Sequence, residues 1–204
     1  MKKSIEYGKG IRILNQDLWE TIISFIISAN NNIPRIKGII EKLSKKYGKE
    51  LEFEGKKYYT FPTPKELENV TVEDYRSLGL GFRDIRLYET TKMILEKKVD
   101  LQELRKNPNT FEVREKLLTL SGVGPKVADC ILLFGFGRKD VFPVDTWVEQ
   151  VYNTLFFEDK KNREQIALYF INRFGDLSGY AQQYLFYSAR SFDVLKAKSN
   201  EDNK

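Results

Sequence analysis

Two residues in the second half of the chain have types and surroundings suited to covalent chemistry. Lys126 lies one residue into an apolar segment that follows a Gly-Val-Gly turn. Asp145 follows an extended Pro-Val pair and stands where a new helix should begin. An uncharged lysine amine is a nucleophile, and a rigidly held carboxylate stabilises positive charge beside it. If the fold brings the two together, they form an amine nucleophile next to a fixed anion.

Both residues also have simpler interpretations. A lysine at the start of a helix can merely contact a phosphate group, and an aspartate just before a helix is a common N-cap. A lysine in water has a pKa of about 10.4. An amine nucleophile therefore needs surroundings that exclude water and favour its neutral form. The residues alone leave both interpretations open.

The composition excludes most other catalytic machinery. The 204 residues contain no histidine, so a Ser-His-Asp triad and histidine-ligated metal sites cannot form. The single cysteine, Cys130, can supply neither an intramolecular disulfide nor a four-cysteine zinc or iron-sulfur site. Lys and Arg outnumber Asp and Glu by 34 to 29, and the formal charge of +5 mildly favours polyanionic partners.

Hydropathy argues against a membrane protein. No apolar run approaches the roughly 20 residues that a membrane-spanning helix needs, and the first ten residues lack the apolar stretch of a signal peptide. We therefore expect a soluble, cytoplasmic protein with no membrane partner. We also expect it to be a monomer.

Apolar residues recur at helical spacing through most of the chain, which predicts an all-α fold. Asp17 and Thr71 are placed to cap helices. Pro34 suits the first turn of a helix, and that helix is expected to end before Gly48. A short helix is expected near 65–68, and residues 50–60 suit a small hairpin or an ordered loop. Further helices are predicted at 83–97, 101–106, 110–120, 125–134, 146–156, 163–174 and 180–192.

We divide the predicted helices into two subdomains. We place them at roughly 17–106 and 107–192, with an N-terminal helix free to pack against the second. Residues 193–204 form a polar tail that is expected to fray.

Residues 117–134 read as a helix, a glycine turn and a second helix that begins at Pro125. Gly122 and Gly124 let the backbone approach a phosphate, and the amides of Gly122, Val123 and Gly124 next to a helix N-terminus can donate to it. Such a hairpin grips the DNA backbone without reading sequence. The alternative is an ordinary tight turn between packed helices.

Four segments resemble one known family, the 8-oxoguanine DNA glycosylases of the helix-hairpin-helix superfamily. LSGVGPKVADC followed by VFPVDTWV is similar to the family's catalytic core. SFIISANNNIPRI and LGLGFRDIR are similar to its damage-reading segments, and GYAQQYLFYSAR to its base-pocket helix. They occur in the family's order between Tyr7 and Arg190. The resemblance implies the helix-hairpin-helix glycosylase fold, with two helical subdomains that flank a cleft, and duplex DNA with a damaged base as the partner. It also implies association with the nucleoid if the source is bacterial or archaeal.

The resemblance assigns a role to each of the two candidate catalytic residues. Lys126 is implied to attack the sugar carbon, displace the damaged base and form a Schiff base that eliminates the 3′ phosphate. Asp145 is implied to stabilise the cationic sugar. The activity implied is therefore that of a bifunctional glycosylase and AP lyase that excises 8-oxoguanine, preferably opposite cytosine.

The other matched positions are implied to contact the flipped purine or the cytosine that it leaves unpaired. Those on the cytosine side come first along the chain. Asn30, Arg35 and Arg83 match residues that hold the cytosine left behind, and Phe82 matches the wedge that replaces the lost stacking. Their simpler interpretations are a polar helix terminus for Asn30 and a core aromatic for Phe82.

Three further positions match the pocket for the flipped purine. Gln182 is implied to bond its edge, Phe186 to stack on it and Cys130 to form the opposite wall. From the residues alone, Phe186 would be a core side chain and Gln182 a surface one.

The sequence departs from the family pattern at two places. Family members commonly carry a sheet-rich N-terminal domain before the segment that begins here at Tyr7, and it supplies a carbonyl that senses the extra ring proton of 8-oxoguanine. Only six residues precede that segment here, so we expect discrimination against guanine to suffer more than catalysis. Trp147 stands where many relatives have a polar residue that contacts phosphate.

No cofactor is expected, and an iron-sulfur cluster is excluded by the cysteine count, although the hairpin backbone suits a structural monovalent cation. Two alternatives stay open: a helix-hairpin-helix glycosylase for another damaged base, or a non-catalytic DNA-binding module. Lys126 favours a bifunctional enzyme, because monofunctional relatives lack the lysine.

Overall fold

The computed structural model describes residues 1–155 and 161–192, with the backbone alone for Leu155 and residues 190–192. Residue 156 and the tail at 193–204, which we had assigned from sequence, lie outside this range. Eleven α-helices occur in the described residues: α1 (Lys2–Tyr7), α2 (Leu18–Ser28), α3 (Ile33–Tyr47), α4 (Val72–Ser77), α5 (Asp84–Leu95), α6 (Leu101–Lys106), α7 (Thr110–Leu118), α8 (Pro125–Phe134), α9 (Thr146–Leu155), α10 (Arg163–Phe174) and α11 (Ser178–Phe192).

One antiparallel hairpin interrupts the helices. Strands β1 (Glu50–Phe53) and β2 (Lys56–Tyr59) pair with Leu51 opposite Tyr58. Short 3-10 turns cover Gly81–Arg83 and Gly175–Leu177. The mostly helical fold with a small hairpin, predicted from the sequence, is confirmed.

The predicted caps set the helix boundaries. The Asp17 carboxylate accepts from the Glu20 amide at 2.9 Å at the start of α2. Asn32 caps α3, whose first turn contains Pro34. Thr71 and Asp74 form a reciprocal capping box at α4, so two amides that lack helical partners are satisfied.

Two local predictions differ from the structure. Residues 65–68 form overlapping turns and not a helix, because the Leu67 amide is shared by the carbonyls of Thr63 and Pro64. An N-terminal helix was expected to be able to pack against the second subdomain, but the position of α1 was not predicted. Its sequence KKSIEY has too few apolar residues to show a period, and the helix contacts α11, where the Tyr7 ring lies 5.4 Å from that of Tyr187.

The chain divides into two compact units. The central unit is Gln16–Ile131, and the terminal unit combines Met1–Asn15 with the chain from Leu132 onward. The boundary predicted at 106/107 is therefore too early. The hairpin belongs with the preceding helices, because the Thr90 hydroxyl donates to the Ser121 carbonyl at 2.9 Å and the backbone at Gly122 lies against Ile26.

Each unit has its own apolar interior. In the central unit α2 packs on α3 and α5, and Ile22, Ile23 and Ile26 of α2 are fully buried. In the terminal unit α9, α10 and α11 enclose a cluster in which Phe142 stacks on Phe170 with ring centroids 4.4 Å apart. Among the described residues, no helix has both the length and the apolar character to cross a membrane.

A largely buried ion pair joins the two helices that flank the glycine turn. Arg114 of α7 donates through Nε to the Asp129 carboxylate of α8 at 2.7 Å, and their side chains are 21% and 9% exposed. Charged groups removed from water are costly unless paired. This pair therefore fixes the angle at which α8 leaves the turn.

We predict that Arg114→Ala lowers the free energy of unfolding by about 2–4 kcal/mol, because it leaves the buried Asp129 carboxylate without this cation. Urea unfolding followed by circular dichroism measures the change. Arg105→Ala removes an exposed arginine from the same unit and is expected to change stability by less than about 0.5 kcal/mol. Equal effects from the two substitutions would show that the ion pair does not support the turn.

Candidate active site

The glycine turn is built on the helices beneath it. Gly122 has a φ of +84°, and a Cβ there would lie 2.9 Å from Cδ of Arg86 and 3.1 Å from Cγ2 of Ile26. Both the left-handed backbone and the close approach therefore require glycine. Val123, the residue between the glycines, is buried and its amide donates to the Leu120 carbonyl at 3.1 Å.

Gly124 differs from Gly122 in its surroundings. It is exposed, its φ lies outside the left-handed region, and a Cβ there would meet nothing within 4 Å. The fold itself therefore does not require glycine at this position. It adjoins the N-terminus of α8, where free amides and the helix dipole favour an anion, and a bare backbone leaves room for one.

Lys126 lies in the first turn of α8, as predicted, and is half-buried. Its Nζ is 5.2 Å from the centre of the Phe25 ring of α2. An ammonium group is attracted to an aromatic face. No carboxylate of the central unit lies within ion-pair distance of Nζ, so the ring and not an acidic residue holds this side chain.

The three consecutive asparagines after α2 have different roles. Asn31 donates to the Ile27 carbonyl at 3.0 Å, and Asn32 accepts from the Arg35 amide at 3.0 Å as the α3 cap. Asn30 is exposed, and its side chain makes no hydrogen bond within the central unit. The helix termini therefore explain Asn31 and Asn32 but leave the Asn30 amide group available.

Arg83 holds the backbone that carries Asn30. Asn30 adopts a φ of +50°, and its carbonyl accepts from Nη2 of Arg83 at 2.6 Å. Nε of Arg83 donates to the Ala29 carbonyl at 2.8 Å and Nη1 to the Leu80 carbonyl at 3.2 Å. The Arg83 side chain is thus buried, and all three of its nitrogens donate to main-chain oxygens.

Three arginines gather around this turn. Burial lowers the pKa of the Arg83 guanidinium, and the like charges of Arg35 and Arg86 lower that pKa further. Arg35 is exposed and donates through Nη2 to the Gly79 carbonyl at 2.8 Å. The concentration of positive charge suits an electron-rich ligand such as the acceptor edge of a base or a phosphate.

Phe82 is not a core aromatic. Its side chain is 54% exposed at the 3-10 turn, and the guanidinium carbons of Arg83 and Arg86 lie 4.3 Å and 5.0 Å from the ring centre. A large exposed apolar ring beside positive charge suits insertion between bases.

In the terminal unit, Asp145 caps α9. Its Oδ1 accepts from the Val148 amide at 2.9 Å, and the side chain is half-buried. Among the described residues of this unit, no hydrogen bond engages Oδ2. Arg163 of α10 steadies this first turn, donating to Glu149 at 2.8 Å and to Thr146 at 3.1 Å. The N-cap interpretation is correct, and the described residues of the unit use only one of the two carboxylate oxygens.

Gln182 is buried, against the surface position expected from the residues alone. Its Nε2 donates to the Pro143 carbonyl at 3.1 Å, and its oxygen accepts from Gln183 at 2.6 Å. The amide therefore contacts the chain segment that leads into Asp145.

The two remaining pocket residues have apolar surroundings. Phe186 is half-buried and packs against the terminal-unit core, so it partly fits the core interpretation. Cys130 is buried on α8 in the central unit, one turn after Lys126. Trp147, in the first turn of α9, is 41% exposed.

Two contributors were not identified from the sequence: Phe25 under the lysine and Arg86 beside Phe82. Phe25 acts through a contact between distant segments, for which a single sequence gives no signal. Arg86 stands four residues after Phe82, a spacing that could have indicated their contact. The described residues form no group of three or more acidic or cysteine side chains suited to a metal ion.

Comparison with known proteins identifies the family. Residues 23–173 match the model of the HhH-GPD superfamily base excision DNA repair proteins, which is more than half of the chain. The chain belongs to the HhH-GPD superfamily.

Within this superfamily the chain is similar to proteins of archaea, fungi and bacteria. It is 33% identical to a probable N-glycosylase/DNA lyase of Methanothermobacter thermautotrophicus, covering 94% of this chain and 67% of that protein. It is 34% identical to an N-glycosylase/DNA lyase of Saccharomyces cerevisiae, covering 87% and 56%. A Clostridium acetobutylicum 8-oxoguanine glycosylase/lyase, solved with double-stranded DNA containing cytosine opposite 8-oxoguanine, is 45% identical with a TM-score of 0.90, covering 94% and 66%. The chain thus spans about half to two thirds of the length of these HhH-GPD relatives.

The two hairpin glycines provide a matched pair of substitutions. We predict that Gly122→Ala lowers the free energy of unfolding by about 1–2 kcal/mol because of its left-handed backbone. Gly124→Ala is expected to cost less than about 1 kcal/mol but to weaken DNA binding about tenfold, the loss of roughly one charge-assisted hydrogen bond. Thermal unfolding and fluorescence anisotropy with a labelled duplex measure the two effects.

The contrast between the two positions is the test. Unchanged DNA affinity in a folded Gly124→Ala protein would mean that the turn only joins two helices. A stable Gly122→Ala protein would contradict the tight packing of the turn on α2 and α5.

Proposed function

We propose that this HhH-GPD protein is a bifunctional DNA glycosylase and AP lyase that excises 8-oxoguanine opposite cytosine from duplex DNA. The observation that carries the proposal is Lys126, a half-buried amine in the first turn of the helix after the Gly-Val-Gly hairpin. The similarity to N-glycosylase/DNA lyases and to the Clostridium enzyme with its 8-oxoguanine duplex supports the same assignment.

The proposed reaction begins with the neutral Lys126 amine. Nζ bonds to C1′ of the extruded nucleotide as the C1′–N9 bond breaks, and the departing purine takes a proton from the Nζ that has become positively charged. The C1′–O4′ bond then breaks as O4′ takes a proton from water, which gives a protonated Schiff base between Nζ and C1′. Water removes a C2′ proton and the C3′–O bond breaks, which forms a C2′–C3′ double bond and releases the 3′ phosphate.

Asp145 is proposed to stabilise the positive charge that develops on the sugar as the base departs. Its Oδ1 is fixed by the Val148 amide, so Oδ2 is held in a defined direction at little entropic cost. A preorganised anion acts most strongly where water is excluded. The capping role and the catalytic role are therefore compatible.

Recognition is assigned to two groups of residues. We assign binding of the estranged cytosine to Asn30 and Arg35, with Arg83 beside them. Phe82 is assigned to fill the gap that the extruded base leaves in the stack. The flipped purine would replace the contact between Gln182 and the Pro143 carbonyl, with Phe186 and Cys130 as apolar walls.

The remaining expectations form part of the same proposal. The reaction as written uses only an amine and a carboxylate, so we propose that it needs no cofactor, with or without a structural monovalent cation on the hairpin. The partner is duplex DNA that contains a damaged base. We place the enzyme as a monomer in the cytoplasm, on genomic DNA.

Borohydride reduction tests the nucleophile directly. We predict a covalent adduct between the protein and an 8-oxoguanine·cytosine duplex, visible as a shifted band on a denaturing gel, and its complete loss in Lys126→Gln. Asp145→Asn keeps a good N-cap but loses the charge, so excision in a single turnover should slow on the order of 100-fold. An unaffected thermal midpoint in both variants excludes misfolding.

The same gel separates the alternatives. An adduct on a preformed abasic site but not on 8-oxoguanine would indicate a glycosylase for another base. The absence of an adduct on both substrates would contradict the enzyme and leave a DNA-binding module.

The opposite base tests the assignment of Asn30 and Arg35. We predict faster excision of 8-oxoguanine opposite cytosine than opposite adenine or thymine, and a loss of most of this preference in Asn30→Ala and Arg35→Ala. Single-turnover rates on the three duplexes measure it. Equal rates for all three opposite bases in the unmodified protein would contradict the assignment.

A further inference from the structure

The Arg86 side chain of α5 touches two functional features at once. Its Cβ and Cδ lie 3.1 Å and 2.9 Å from where a Cβ of Gly122 would stand, so its aliphatic stem covers the hairpin glycine. Its guanidinium carbon lies 5.0 Å from the centre of the Phe82 ring. One side chain therefore joins the phosphate-binding turn to the exposed aromatic residue.

The neighbouring Arg83 cannot perform this task in the same way. Its guanidinium is also close to the Phe82 ring, but it is buried and hydrogen-bonded to the carbonyls of Ala29, Asn30 and Leu80. It is fixed to the main chain. Arg86 is half-buried and forms no ion pair within the central unit, so its guanidinium can move together with the Phe82 ring.

An exposed aromatic side chain has several accessible orientations, and each must be restricted before it can enter a base stack. A guanidinium plane against the ring restricts it by cation–π attraction. Because the stem of Arg86 is packed on Gly122, a shift of the hairpin on phosphate binding reaches the ring through this side chain.

We propose that Arg86 is a positioning residue that orients the Phe82 ring from the hairpin and so couples phosphate binding to insertion of the ring into the duplex. The inference rests on the role of Phe82 in the proposed function. It does not require Arg86 to contact the damaged base.

A double-mutant cycle with a fluorescence readout tests this coupling without requiring catalysis. The duplex contains a stable tetrahydrofuran abasic site with 2-aminopurine as the neighbouring base, whose emission rises when a ring displaces its stacking partner. Arg86→Met keeps the apolar stem on Gly122 and removes the guanidinium. We expect the emission rise at saturating protein to fall about three- to tenfold.

The dependence on Phe82 decides whether Arg86 acts through the ring. In a Phe82→Ala background, Arg86→Met is expected to change the remaining signal less than twofold. Arg86→Lys, which keeps the charge but not the planar group, should resemble Arg86→Met. Arg105→Met removes an arginine elsewhere in the unit and should leave the signal unchanged.

Three results would overturn the proposal. The first is an equal effect of Arg86→Met with and without the Phe82 ring. The second is a full emission rise with Arg86→Lys, since a simple charge would then suffice. The third is no emission rise with the unmodified protein. If the emission behaves as expected but no borohydride adduct forms, the inference stands and the proposed enzymatic function fails.

Discussion

The close approach of the hairpin backbone to α2 and α5 is the contact on which the candidate site depends. At Gly122 there is no room for even one methyl group between the turn and the side chains of Ile26 and Arg86. The turn is therefore pressed onto α2, and α8 begins at a fixed place. Phe25 precedes Ile26 on the same helix, and its ring faces Lys126. One helix thus sets the position of both the turn and the amine.

The polar groups around the site show a consistent division between fixed and available atoms. Arg83 is fully used in holding a left-handed turn, whereas the Asn30 side chain carried by that turn makes no hydrogen bond in its unit. Asp145 uses one oxygen to cap a helix and keeps the other. Some polar side-chain atoms thus hydrogen-bond to the protein backbone. The remaining polar atoms indicate which hydrogen-bonding groups a ligand must supply.

The sequence predicted most of the helices because their ends carry strong local signals, such as Asp17, Thr71 and the Pro-Lys start of α8. It failed where tertiary contacts decide. Helix α1 is stabilised by contacts with α11, and the unit boundary depends on the packing of the turn on α2. The contact of Phe25 with Lys126 and that of Arg86 with Gly122 could not be predicted for the same reason. Gln182 is buried because a carbonyl from a distant segment, that of Pro143, satisfies its amide.

The chemistry of the two purines limits what the assigned pocket residues can distinguish. Guanine and 8-oxoguanine share the edge that carries N1, the exocyclic amine and O6, and differ at N7 and C8. The Gln182 amide and the Pro143 carbonyl offer one donor-acceptor pair, which suits that shared edge. A site that leaves buried polar groups unpaired rejects a ligand strongly, whereas one that satisfies both ligands equally does not discriminate. Selection of 8-oxoguanine over guanine therefore requires an acceptor directed at N7 in addition to the residues assigned here. In the proposed assignment, Gln182 and Phe186 distinguish a guanine-like purine from other bases, and preference for the oxidised form would have to arise from a different contact.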